Sequence, residues 1–270
     1  MNVTNVADLT ITTLETITAF DPVTGNFRFS LDELQDATIA QTQDAVDVVG
    51  KLGRKLNTLK RNKAVTISGT HGLVSAGLLE LQTGNEFSAN IATTVKWMDN
   101  LAVLNNSATT SFIAVGTPGA EIDAVYIKNN NNTLGTRFEQ GAAVDEGVFI
   151  YDPATRIIEF ENDAIADGAE IVVFYMRRIN GSVLDNHSDK FSGKCSLFVD
   201  AFAEDTCANI YRVQFHIPLA DFNGNFDLAM GGDSQTVHAF EAEALGGACA
   251  TAGLYWSMTI FGAEDGDLDE

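Results

Sequence analysis

The sequence predicts a mainly β fold with one or two short flanking helices, and three observations carry that prediction. Ile210–Pro218 alternates with period two: Tyr211, Val213, Phe215 and Ile217 fall on one face, Arg212, Gln214 and His216 on the other. One apolar face with that period is the mark of a half-buried antiparallel strand. Gly147–Phe160 reads as a hairpin, with Val148–Tyr151 and Arg156–Phe160 joined by Asp152-Pro153-Ala154-Thr155, because proline presets φ for the second position of a type I turn. Finally, 23 glycines supply turns and bulges, while only four prolines force few strands to sheet edges.

In chain order, the first element signal is Ser30-Leu31-Asp32-Glu33. It matches a capping box, in which Ser30 and Glu33 cap each other's free backbone N–H groups, and so predicts a helix start. Ala37–Val49 fits either a helix or an extended segment. A strand is expected at Val65–Ser68. Leu73–Gln82 then predicts a short helix with Gly84 as its terminating cap. The remaining strands are expected at Ile91–Trp97, Ser111–Val115, Ala124–Lys128, Glu170–Met176, Ser196–Ala201, Gln235–Glu243 and Leu254–Phe261. Heptads and repeats of 20–50 residues are missing, which argues against coiled-coil and solenoid architectures.

Composition narrows the class. The chain has 270 residues, 45% of them apolar, enough for a substantial core. No stretch approaches the ~18 apolar residues of a membrane-spanning helix. Met1–Thr10 carries neither Lys nor Arg and no apolar run, so no secretory signal is read there. Three cysteines form no disulfide framework and suit a reducing compartment. The expectation is therefore a soluble, acidic, intracellularly made protein.

Charge is the most informative feature. Sixteen Lys and Arg oppose 37 Asp and Glu, for a formal net charge of −21. Such a balance argues against gripping nucleic acid, which needs basic surface to displace counterions. Yet Lys51, Arg54, Lys55, Lys60, Arg61 and Lys63 put six of the 16 basic residues into 13 positions with no acid among them. No aromatic residue interleaves them to stack bases. The run reads equally as a solvated edge that discourages mispairing or as a contact to acidic surface on another copy of the chain. Val213–Glu270 is its opposite, with ten acidic residues and no Lys or Arg; five of those acids lie in the tail-like Glu264–Glu270.

Candidate chemistry is sparse. Gly72-Leu73-Val74-Ser75-Ala76-Gly77 misses the nucleophile elbow by one residue, and Gly50-Lys51-Leu52-Gly53 lacks the rest of either phosphate-binding glycine signature. Cys195, Cys207, Cys249 and His216 are soft ligands without the close spacing of a zinc site, and Cys195 reads better as a small buried hydrophobe. Asp221-Phe222-Asn223-Gly224-Asn225-Phe226-Asp227 offers oxygens at positions 1, 3, 5 and 7. A calcium loop, however, wants Gly at position 6 and Glu at position 12, where Gly232 stands. A hairpin turn at Asn223-Gly224 is the plainer reading. His71, His187 and His238 have no ligand partners near them in the sequence. No catalytic, metal or cofactor site is assigned.

The order and texture of several segments resemble the major tail proteins, or tail tube proteins, of long-tailed bacteriophages. The carrying segments are Val48–Gly84, Ser111–Asn129, Gly147–Phe160 and Tyr211–Leu245, followed by Leu254–Phe261. They run as a basic hairpin, a short helix, strands and a late aromatic strand. The resemblance implies a tail-tube-like β-sandwich or barrel over residues 1–270, with 110–179 as a strand-rich elaboration. It implies a structural virion protein, not an enzyme, that self-assembles into stacked, six-membered rings forming a conduit for DNA ejection. Partners would be other copies, tail proteins at the tube ends, and genomic DNA passing without specific binding. No cofactor and no membrane enter. Lys51, Arg54, Lys55, Lys60, Arg61 and Lys63 become candidate inter-subunit contacts. The alternatives are another virion component (decoration, tail-completion or baseplate) or a cell-surface-binding module with Phe138, Phe149 and Tyr151 as an exposed aromatic cluster.

Overall fold

A computed structural model of the chain describes residues 8–228, 237–247 and 252–262, and within them the chain is mainly β. It divides into two compact units, Met1–Phe87 with Leu184–Glu270, and Ser88–Val183. The first begins with strands β1 (Leu9–Phe20), β2 (Phe27–Leu31), β3 (Leu34–Val49) and β4 (Lys55–His71), then helix α1 (Ala76–Thr83). The second holds β5 (Ser88–Ala102), β6 (Ser107–Thr109), β7 (Ile122–Lys128), β8 (Leu134–Gln140), β9 (Val148–Asp152), β10 (Ile157–Glu159) and β11 (Glu170–Val183). The chain then returns to the first unit with β12 (Lys194–Asp205), β13 (Ile210–Phe222), β14 (His238–Ala244) and β15 (Ser257–Gly262).

The first unit is built on one sheet in the order β2-β1-β12-β13-β14-β4-β3, with β15 added to β13. Every adjacent pair is antiparallel. One face is apolar: Ile17, Leu31, Ile67, Leu197 and Ile217 are buried there, together with Leu78 of α1. Each such side chain contributes about 1.5–3 kcal/mol on burial. Ser75 caps α1, accepting from the Leu78 N–H at 3.4 Å. Gly84 ends it at φ +69, its N–H donating to the Glu80 carbonyl, a left-handed position that glycine takes without steric cost. The cap expected from sequence is therefore present, while Leu73 and Val74 lie before the helix and are exposed.

The second unit has its own sheet, β5-β11-β7-β8-β9-β10-β6, antiparallel except for the β8–β9 pair. Its core gathers Val125, Phe149, Ile158, Ile171 and Tyr175. The Asp152 turn forms as expected: Asp152 Oδ1 accepts from Ala154 N and Oδ2 from the Thr155 hydroxyl, and β9 pairs with β10.

Three expectations are corrected and one open choice is resolved. Ser30–Glu33 starts no helix. Phe29 and Leu31 alternate into the core opposite Ala19 and Ile17, so strand pairing overrides the capping signal, and the Ser30 hydroxyl meets that of Thr18 instead. The open choice over Ala37–Val49 resolves as extended chain. Ser111–Val115 is not a strand: side chains take the N–H groups of Ser111, Phe112 and Ala114, while Val115 N donates to the Met176 carbonyl. No tight hairpin sits at Asn223-Gly224. Residues 223–237 connect β13 to β14, and Asn223 Oδ1 accepts from Asn225 N to form a local turn. Cys249, Gly232 and the acidic Glu264–Glu270 lie outside the described residues.

Candidate functional site

The basic run becomes the distal half of a long hairpin. Strands β3 and β4 have 16 and 17 residues, whereas only their proximal part meets the core. Beyond the Thr42–Ala64 pair the ribbon continues to Val49 and Lys55, about 24 Å at the usual rise of a strand. Along it the residues of both strands are exposed except the half-covered Thr58. A bulge where Asn62 takes φ +52 re-aims the ribbon at its base.

The two faces differ. Residues directly opposite in an antiparallel pair point the same way. Val46 faces Leu59 and Val48 faces Asn57, with Asp44 opposite Arg61, so one face carries an apolar centre. The other face pairs Ala45 with Lys60 and Asp47 with Thr58. At the tip, Lys51–Gly53 form a short 3-10 turn in which Leu52 takes φ +65 and is 98% exposed. An isolated two-stranded ribbon is marginal in water. Here side chains brace it: Thr58 Oγ1 donates to Asp47 Oδ1 at 3.0 Å, Asn62 Nδ2 to Asp44 Oδ2 at 2.8 Å, and Lys55 pairs with Asp47 at 2.6 Å.

The six basic residues fall into two groups. Lys55 is engaged by Asp47. Lys63 sits at the base with its ammonium 5.3 Å from the centre of the Tyr255 ring, and the Tyr255 hydroxyl donates to the Lys63 carbonyl at 2.9 Å. Lys51, Arg54, Lys60 and Arg61 form no ion pair among the described residues. The ribbon thus presents free positive charge around an uncovered apolar strip.

The polar face of the first unit's sheet is chemically opposite. Glu241 and Glu243 of β14 stand opposite Ser68 and Thr66 of β4. In the next row Thr70 donates from Oγ1 to Asp36 Oδ1 at 2.8 Å. A groove over this face is lined by Asp36, Asp227, Glu241 and hydroxyl side chains beside Phe226 and Phe240, with no Lys or Arg among the described residues. On the same unit Asp21 is held well below the usual carboxylate range by the Thr24 N–H, the Arg28 guanidinium and the Val23 N–H.

The other sequence candidates do not converge. Cys195 is fully buried, where desolvation pushes its thiol up, and Cys207 is exposed. His216 lies against Phe198, with ring centres 4.3 Å apart, and its Nε2 is 3.1 Å from the Ser196 hydroxyl. Asp221 is turned to Lys194 at 3.6 Å. No three His, Cys, Asp or Glu side chains among the described residues could hold a metal ion, and no described helix is long and apolar enough to cross a membrane. Phe138, Phe149 and Tyr151 are buried in the second unit's core, which removes the exposed aromatic cluster a cell-surface module would have used.

Sequence reading missed two arrangements. His71 and His238 lie opposite each other on β4 and β14, both buried, with His238 Nε2 2.8 Å from Gln82 Oε1. In the second unit, Trp97, Phe112 and Arg177 come together from distant positions. Neither leaves a local sequence signal.

Among comparisons with known proteins, the model of the YomU/Tube protein family matches residues 9–256, a span that contains the whole ribbon, the whole second unit and all of the first unit's strands except β15. A search of curated proteins gave no match.

Proposed function

The chain belongs to the YomU/Tube protein family, whose members are phage tail tube structural proteins, and from that premise we propose that it closes into six-membered rings that stack into a hollow tube for DNA ejection. The observation that carries this reading is the β3–β4 ribbon. It extends far beyond its own core, exposes both faces, and ends in an uncovered leucine. Such a ribbon gains most by lying on another copy, where the Val46–Leu59 strip would be covered.

Charge supports the same arrangement. Every copy carries −21, so like subunits repel, and assembly has to rest on apolar contact, strand pairing and local charge matches. Lys51, Arg54, Lys60 and Arg61 are cations available for a neighbour's carboxylates, with Lys55 and Lys63 fixing the shape of the ribbon. The acidic and hydroxyl-lined sheet face around Glu241 is our choice for the bore. A duplex carries one negative charge per ~1.7 Å and clings to basic surfaces by counterion release. A groove lined by carboxylates, with the nearby Lys194 paired to Asp221, repels it within a screening length of about 8 Å.

In this reading Ser88–Val183 is an elaboration of the tube protein, the location is the virion tail, and the remaining partners are tail proteins at the tube ends. No catalysis is required of any residue. Native mass spectrometry of the purified chain at rising concentration tests the ring: a dominant species of six chains is expected, and a monomer persisting at every concentration contradicts it.

A further inference from the structure

We propose that the Ser88–Val183 unit binds an organic anion, a ligand bearing a phosphate or carboxylate group beside an apolar part, in the pocket between Arg177 and the Ser111–Gly116 segment. The pocket has a volume of about 730 Å³, and Arg156, Arg178 and Glu121 also line it. This inference does not depend on tube assembly.

The charge pattern is the first argument. The chain carries 37 acidic and 16 basic residues, so carboxylates outnumber cations by more than two to one. The ion pairs of this unit join Lys96 to Asp123, Lys128 to Glu170 and Arg137 to Glu139. Arg156, Arg177 and Arg178 have none among the described residues, although all three border one pocket. The nearest buried acid is occupied: Asp99 accepts from Trp97 Nε1, Ser111 N and the Tyr175 hydroxyl at 2.8–2.9 Å. Burial raises the Asp99 carboxyl, but those bonds outweigh it and hold the group ionised below its ordinary value. Glu121 likewise accepts from Gly119 N and Gln140 Nε2. Three cations therefore face one already bonded carboxylate.

The second argument is an orphaned donor. The Arg177 guanidinium carbon lies 4.0 Å from the centre of the Trp97 ring and 3.8 Å from that of Phe112. The two rings stand at 90°, so the guanidinium occupies the corner between them. Its Nε is buried with no hydrogen-bond partner. Buried donors in folded proteins are nearly always satisfied, so an unpartnered one on a cavity-lining arginine calls for an explanation, and we assign it to the bound ligand. Stacking fixes the plane of the fork, the geometry that suits a two-oxygen anion.

Third, the wall is preorganised. Phe112 N donates to the Tyr175 hydroxyl at 3.1 Å and Ala114 N to that of Tyr151 at 2.9 Å, while Arg156 Nη1 donates to the Ser111 carbonyl at 2.8 Å. A wall held by side chains of the core loses little further freedom on binding. Phe112 and Ile113 leave apolar surface exposed on it, which is why the ligand is assigned an organic part.

Trp97, packed against the pocket-lining Arg177 and Phe112, reports on the site through them. In a Trp256→Phe background it is the one remaining tryptophan of the chain's two, and its fluorescence can be followed as phenyl phosphate, benzoate or benzyl alcohol is added at constant ionic strength. Saturable quenching by at least one anion and not by the neutral alcohol is expected, and whichever anion binds more tightly identifies the acid group. Arg177→Lys and Arg156→Gln should each weaken binding about tenfold, the scale of a lost hydrogen bond to a charged group, with unchanged circular dichroism. The exposed Arg156 decides the matter should Arg177→Lys unfold. Absence of saturable quenching, equal binding of the alcohol, or full affinity in Arg156→Gln overturns the proposal.

Discussion

Val46 and Leu59 stand directly opposite each other on the β3–β4 ribbon, 38% and 53% exposed, on a face with no core behind it. In a strand that merely edged a core, this pair would be buried. Replacing both with serine should leave the monomer's melting temperature nearly unchanged, since exposed substitutions usually shift stability by no more than about 0.5 kcal/mol. Each apolar side chain covered in an assembly contributes about 1.5–3 kcal/mol. The concentration at which the chain polymerises should therefore rise at least about a hundredfold, as light scattering would record. Polymerisation at the original concentration would exclude the ribbon's apolar face from assembly.

Lys60 and Arg61 test the electrostatic half of the contact. They lie on opposite faces of the ribbon, across from Ala45 and Asp44, and form no ion pair among the described residues. Lys60→Glu with Arg61→Glu should block assembly and leave folding intact, because like charges across an interface cost several kcal/mol. High salt should partly restore assembly by screening. A double variant that assembles normally in sedimentation removes these residues from the interface.

The face bearing Glu241 and Glu243 should not hold DNA. Assembled wild-type protein is expected to leave duplex DNA unretarded in a gel at moderate salt. Glu241→Lys with Glu243→Lys should retard it, with a binding constant that falls steeply as salt rises. Retention by the wild type, or none by the variant, would contradict the assignment of this face to the bore.

Buried histidine gives a pH dependence. The Gln82 amide donates from Nε2 to the Ala239 carbonyl, so its Oε1 faces His238 Nε2. His238 therefore carries its proton on Nε2 and accepts from Ser75 N at Nδ1, a neutral ring with both nitrogens used. Burial, and then the neighbouring His71, lower its pKa; Asp32 lies 3.8 Å from His71 on the outer side. Burial lowers His216 in the same direction. A histidine depressed in the folded state contributes its stability above its unfolded value of ~6.5 and loses it as pH falls towards the folded value. The melting temperature should fall between pH 7.5 and pH 5, and a flat or rising profile would be inconsistent with a neutral buried His238.

Local chemistry made part of this fold legible. Asp152-Pro153 announced its hairpin, Gly84 its helix end, and the alternation over Ile210–Pro218 its strand. Ser30–Glu33 misled because a capping box competes with pairing to β1, which a single segment does not reveal. β1 and β8 went unread, as their threonine- and glycine-containing stretches alternate weakly. The basic run was visible as charge. Its exposure on both faces was not, because Val46 and Leu59 alternate with polar neighbours as they would beside a core. Arg177 and its rings come from positions up to 80 residues apart and could be joined only by folding.

The central claim is that this anionic β protein multiplies itself into a hollow tube through its protruding ribbon. Negative-stain electron microscopy of the purified chain at rising concentration addresses it most directly. Stacked rings with a stain-filled bore, formed by the wild type and lost in Lys60→Glu with Arg61→Glu, are the expected result. Isolated particles at every concentration, or tubes unaffected by that double substitution, would contradict it.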